Sequence, residues 1–324
     1  MHERSRTTHT TLPTTLVLVI TLAACGQAGK APTPTAASPG RESTVRVFAA
    51  PEEAGAALEQ AVKSGDRSAL LAIFGPDSNE LIASGDPVQD KEAGSAFAGR
   101  YEVMHRWRTM EDGAQILLVG ADNFPFPIPL KQNATGQWSF DTAAGRNEIL
   151  NRRIGRNELA VIEVARAAAE AQADYHAQLH DGAREHQYAV KFISDPGKQN
   201  GLYWKSPEGA PQSPLGPLVA FATSEGYSAE PQAHTPFHGY YFRMLTGQSA
   251  KAPGGAKKYL VNGRMTGGFA FVAYPAKYGD LGIMTFMINQ DGVLLQRDLG
   301  KATAETAGAM ADFDPDAGWS PVEQ

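Results

Sequence analysis

The only cysteine of this 324-residue chain stands at position 25, and that bounds what the rest can become. Everything after Cys25 must fold without an internal disulfide, a thiol nucleophile or a Cys-ligated zinc site. Stability has to come from buried apolar surface instead. About 300 residues are enough for two domains with real cores. A net charge of −6 argues against a nucleic-acid partner, which selects a basic face.

Cys25 also closes an apolar run. His2 to His9 is basic and polar, Leu16-Val17-Leu18-Val19-Ile20 is apolar, and the small residues Ala23 and Ala24 precede the cysteine. Spanning a bilayer takes about 20 apolar residues, so this run is the core of a signal peptide. Leu22-Ala23-Ala24-Cys25 resembles the bacterial lipobox, which implies that the Cys25 sulfur receives a diacylglycerol and becomes the new N-terminus. Two or three acyl chains then hold the protein stably at a membrane. Gly26 stands where an aspartate would favour inner-membrane retention. The expected location is the periplasmic face of the outer membrane, with the inner membrane as the alternative.

Residues 1–25 are thus read as signal and anchor, and 26–44 as a flexible tether of Ala, Pro, Thr, Ser and Gly without apolar periodicity. Residues 45–145 read as an N-terminal α+β domain. Pro51-Glu52-Glu53 starts a helix with an Ala54, Ala57, Leu58, Ala61, Val62 stripe, and Gly65 ends it. Asp66 caps a second helix that Gly75-Pro76 stops. Asp86-Pro87-Val88-Gln89 is a capping box for a third, expected to present Phe97, Tyr101, Met104 and Trp107. Strands are expected over 115–119, 126–131 and 137–141, with an Asn133-Ala134-Thr135-Gly136 turn. Proline alternates with apolar residues over 124–129, which demands a sheet edge or a polyproline-like arm.

Residues 146–324 read as a long helix followed by an antiparallel sheet. The strongest helical signal spans 157–180, with Val161, Val164, Ala168, Ala171, Tyr175 and Leu179 on one stripe. A Pro- and Gly-rich loop occupies 194–236. Strands follow over 240–246, 258–262, 268–274, 283–289 and 293–297, and Asn289-Gln290-Asp291-Gly292 makes the last hairpin. The gaps are too short for helical crossovers, so the sheet should be antiparallel.

Candidate sites are few. Arg146, Arg152, Arg153 and Arg156 form a basic cluster that can hold a phosphate, a lipid headgroup or an anionic envelope polymer. Salt bridges to Glu148, Glu158 or acids of the other domain are the preferred reading. Tyr203, Trp204 and Trp107 can line a saccharide or peptide groove, or plug the loop onto the core; the plug is preferred. His234 and His238 share a helical spacing, but Pro236 and Gly239 forbid the helix, and on a strand they stand about 13 Å apart. They read as ordinary loop histidines. Asp314-Pro315-Asp316 lacks the remaining ligands of a calcium loop. No serine-hydrolase elbow, phosphate loop or zinc-protease helix occurs in the sequence. No catalytic residue, metal or cofactor is expected.

Three stretches carry a family likeness. They are 140–145 with 152–159, Ser213-Pro214-Leu215-Gly216-Pro217-Leu218, and His238-Gly239-Tyr240-Tyr241-Phe242 continuing through Asn262-Gly263-Arg264-Met265 to Asn289-Gln290-Asp291-Gly292. Together they resemble the bacterial family of unknown function DUF2950 over nearly the whole chain after Cys25. The N-terminal order of helices and strands resembles the cone-shaped nuclear-transport-factor-2-like fold. Residues 157–300 resemble the periplasmic half of type II secretion pseudopilins, which implies a long helix packed on a small antiparallel sheet. The expected protein is a lipid-anchored, periplasm-facing binding or assembly-support protein, with an envelope protein or polymer as partner. The opposing expectation is an enzyme or small-ligand carrier with its pocket in the N-terminal domain.

Overall fold

Local signals set the first elements of the fold. In the computed structural model, which describes residues 45–228 and 236–323, α1 (Pro51–Ser64) begins on proline with Glu52 and Glu53 in its first turn. It ends at Gly65, whose φ of 64° is a left-handed cap. Asp66 caps α2 (Arg67–Phe74) by accepting from the Ala69 amide at 3.0 Å. A short α3 (Asn79–Ile82) follows, then α4 (Pro87–Val103), capped by Asp86. Cys25, the tether and His234 lie outside the described residues.

Two expectations for this half need correcting. α4 stops at Val103, and Trp107 belongs to β1 (His105–Thr109), which pairs antiparallel with β2 (Gln115–Val119). In β1 one apolar residue sits among charged neighbours, so the helical spacing 97, 101, 104 hid the strand. The run 126–131 is not one strand either. Its prolines cannot donate to a ladder, and they separate β3 (Phe124–Pro125) from β4 (Leu130–Gln132). With β5 (Trp138–Phe140) the sheet order is β1-β2-β4-β5, and β3 pairs off that path with β2. Leu58, Ile73, Phe74, Ile128, Leu130 and Phe140 fill the space between these strands and the helices.

The long helix α5 (Thr142–His176) has 35 residues and is capped by Asp141. It is about 52 Å long. It starts well before position 157 and runs unbroken through position 145. Ile149 packs against the first core, and Val161, Ala165, Ala168, Ala171 and Tyr175 are buried in a second. The small alanines let the helix lie close to the sheet that covers it.

After α5 come β6 (Lys191–Ile193), β7 (Gly201–Tyr203) and α6 (Gly216–Glu225). Further on are β8 (Tyr240–Leu245), β9 (Gly247–Gln248), β10 (Lys257–Lys258), β11 (Leu260–Val261) and β12 (Arg264–Met265). The chain continues with β13 (Ala270–Pro275), β14 (Met284–Asn289), β15 (Leu295–Asp298), α7 (Thr303–Ala309), β16 (Asp312–Phe313) and β17 (Ser320–Pro321). The main sheet is antiparallel in the order β17-β15-β14-β13-β8. Phe271, Phe286 and Ile288 face the second core. The fold class is α+β, and Ser43–Gln324 forms one compact unit around both cores.

Two short pairs are parallel, β6 with β7 and β9 with β16. The turn between β6 and β7 is far too short for a helical crossover. It works because Gly201 passes against the preceding strand: a Cβ there would lie 2.6 Å from the Ser194 amide nitrogen. Ser194 Oγ accepts from the Gly201 amide at 2.9 Å and locks the approach.

Candidate functional site

The last turn of α5, the β6–β7 turn and the Pro-rich stretch after β7 enclose an open cleft of about 880 Å³. Tyr203 and Trp204 both line it, half-buried. The Trp204 ring meets the rings of Tyr175 and His180 edge-on, with centroids 6.4 and 5.5 Å away. Tyr175 and His180 stack on each other at 3.9 Å. Trp204 is therefore packed on the core on one side and lines the cleft on the other.

The polar floor is tied down as firmly. His180 Nε2 lies 2.9 Å from the Tyr175 carbonyl, and Nδ1 lies 3.2 Å from Gln199 Oε1. The Tyr175 hydroxyl donates to the Gln199 carbonyl, and burial beside the Asp181 charge pushes its pKa up to about 12. It stays protonated as a donor. The Gln199 amide donates to Asp181 at 3.0 Å. Asp195 accepts from Lys191 Nζ at 2.6 Å and Asn200 Nδ2 at 2.8 Å, which holds its carboxyl below the usual range. The result is a rigid aromatic wall with amides and balanced charge around it. His180, Gln199 and Asp181 had no sequence signal, because each is an isolated polar residue in a loop.

The arginine cluster is placed elsewhere. Arg153 is buried in an ion pair with Asp280 and donates to the carbonyls of Glu80 and Leu81 at 3.1 Å. Arg152 bridges Glu148 at 2.6 Å and the Pro125 carbonyl at 2.8 Å, lying over the Phe124 ring. Arg146 donates to the Asp77 carbonyl at 3.0 Å. Arg156 is exposed. From Arg153 to Tyr175 the helix rises about 33 Å, so the arginines and the aromatic cleft are separate places. Trp107 is also remote from the cleft, packed in the N-terminal core.

A second polar group joins α4, α5, α6 and the turn before β8. Asp86 is fully buried; its Oδ2 accepts from the Tyr227 hydroxyl at 2.9 Å and the Gly239 amide at 3.2 Å. Gln89 Nε2 donates to Asn157 Oδ1 at 2.8 Å and lies 3.4 Å from His238 Nδ1. That places the imidazole proton on Nε2, 3.6 Å from Glu225 Oε2. His238 is read from sequence as an ordinary loop histidine. Here it is half-buried with a left-handed φ of 48°, a conformation costly for a non-glycine residue. Burial lowers its pKa, and burial raises that of Glu225 with Glu92 and Asp86 adding to the effect. Among the described residues no group of three or more His, Cys, Asp or Glu is placed to hold a metal. No described helix is long and apolar enough to cross a membrane.

Fold and site define an α+β protein with an aromatic-walled cleft at the end of its longest helix. Residues 45–322 match the family model for proteins of unknown function DUF2950, and the chain belongs to that family. No curated protein and no solved structure matches it.

Proposed function

We propose that this is a lipid-anchored envelope protein that faces the periplasm and binds an extended polymer, a glycan chain, in the cleft walled by Tyr203 and Trp204. The observation that carries the reading is the cleft itself, about 880 Å³ with two half-buried aromatics on its wall. Aromatic faces match the apolar C–H faces of sugar rings, while amides such as Gln178, Gln199 and Gln212 on the lining suit hydroxyl groups. The size falls within the range of ordinary ligand sites.

A binding role is favoured over catalysis because the titratable groups there are engaged with each other. His180 spends both ring nitrogens on neighbouring acceptors, and Asp195 is neutralised by lysine. The anchor at Cys25 supplies the location in this reading.

The test is titration of envelope glycan fragments into the full chain and into Trp204→Ala. Binding should weaken at least tenfold in the variant, the usual cost of losing a central tryptophan. Equal affinity in both proteins would remove the cleft from consideration.

A further inference from the structure

A second cavity lies between α5, α6 and β8, with a volume of about 220 Å³. Its wall is built from Val164, Ala168, Phe192, Leu218, Phe237 and Phe242. Three hydroxyl-bearing residues also reach it, and none is free. Thr223 Oγ1 donates to the Val219 carbonyl at 2.7 Å, Tyr227 to Asp86, and Ser228 is engaged as well. A ligand there meets hydrocarbon and no side-chain hydroxyl seeking a partner.

A water's share of liquid volume is about 30 Å³, and a methylene is of similar size. The cavity thus has room for a chain of about seven carbons. Ile193 lines both this cavity and the polar cleft, so the apolar space adjoins a region that tolerates a polar head.

We propose that this cavity binds the hydrocarbon chain of a single-chain membrane amphiphile, a fatty acid or a lysophospholipid. The proposal does not depend on glycan binding in the cleft, and the two use different probes.

The experiment is calorimetric titration of the full chain carrying Cys25→Ser, kept free of detergent. The probes are straight-chain carboxylates of six to fourteen carbons and lysophospholipids of matched chain length, each below its micelle threshold. One site should be filled, with affinity rising about fourfold per methylene and levelling off near seven or eight carbons. Whichever series shows this signature identifies the source of the chain. Ala222→Phe should weaken decanoate binding at least tenfold. Leu218→Ala, which lengthens the cavity, should move the plateau to longer chains, a shift that misfolding cannot produce. The proposal is overturned by an absence of saturation, by affinity that climbs without a plateau, or by a plateau that Leu218→Ala leaves in place. It also fails if Ala222→Phe disrupts self-association of the chain that decanoate does not compete, since the occupant would then be a second copy.

Discussion

Asp86 shows how one residue serves two scales at once. Its Oδ1 caps α4 through the Gln89 amide at 3.2 Å, while its Oδ2 holds Tyr227 and Gly239 from the far end of the chain. Asp86→Ala leaves three donors without a partner, so stability should fall by about 3 kcal/mol, measured by urea unfolding. Arg153→Ala strands the buried Asp280 carboxylate and should cost about 3–5 kcal/mol. If instead Arg153→Ala lost polymer binding with no change in melting temperature, the arginine would belong to a site and not to the scaffold. His238 sets a pH response. Burial holds its pKa below the ordinary 6.5, against the opposing pull of Asp86 and Glu92 and with Arg156 adding to the depression. Below pH 6.5 the unfolded chain takes up a proton that the folded form refuses, so stability falls as pH drops towards the folded value. Glu225, raised above 4.5 by burial, acts in the opposite sense, holding a proton that the unfolded chain has lost. His238→Gln should flatten the acid limb below pH 6.5; an unchanged limb in unfolding curves taken on the acid side of pH 6.5 would assign it to other groups.

At the scale of elements, the parallel pairing of β6 with β7 shapes the cleft. The pairing depends on the close passage of Gly201 against Ser194. Gly201→Ala should push the strands apart, cost about 1–3 kcal/mol as an overpacked contact, and weaken polymer binding together with the melting temperature. Retained binding at full affinity would mean that the β6–β7 turn does not form the working wall. α5 joins the elements of both halves, since its first turns pack on one core and its alanine face on the other. Its start was hidden because 142–156 carries few apolar residues in a regular stripe. Gly145 and the arginines make that stretch look like a connector. Asp141, which caps the helix through the Ala144 amide at 3.1 Å, is the residue that could have revealed it. β1 was masked for a similar reason, with Trp107 as its one inward residue.

For the whole molecule, the proposed anchor and the proposed binding can be tested apart. Cys25→Ala should leave the folded unit intact and shift the protein to the soluble fraction. Persistence in membranes after salt and carbonate washing would place the attachment elsewhere. Helix caps at Asp66 and Asp86, the Gly65 stop and the Asn289–Gly292 turn are contacts within a few residues of each other. The sequence by itself determined these, because neighbouring residues make them in any context, and its patterns and motifs also carried the α+β class and the family membership. The cleft, the apolar cavity and the Asp86 network were decided only by the tertiary structure. Gln89 and Asn157 are 68 positions apart and Gly239 and Asp86 are 153 apart. Such partners meet only after the chain has closed around its cores, and nothing in their immediate sequence records the meeting.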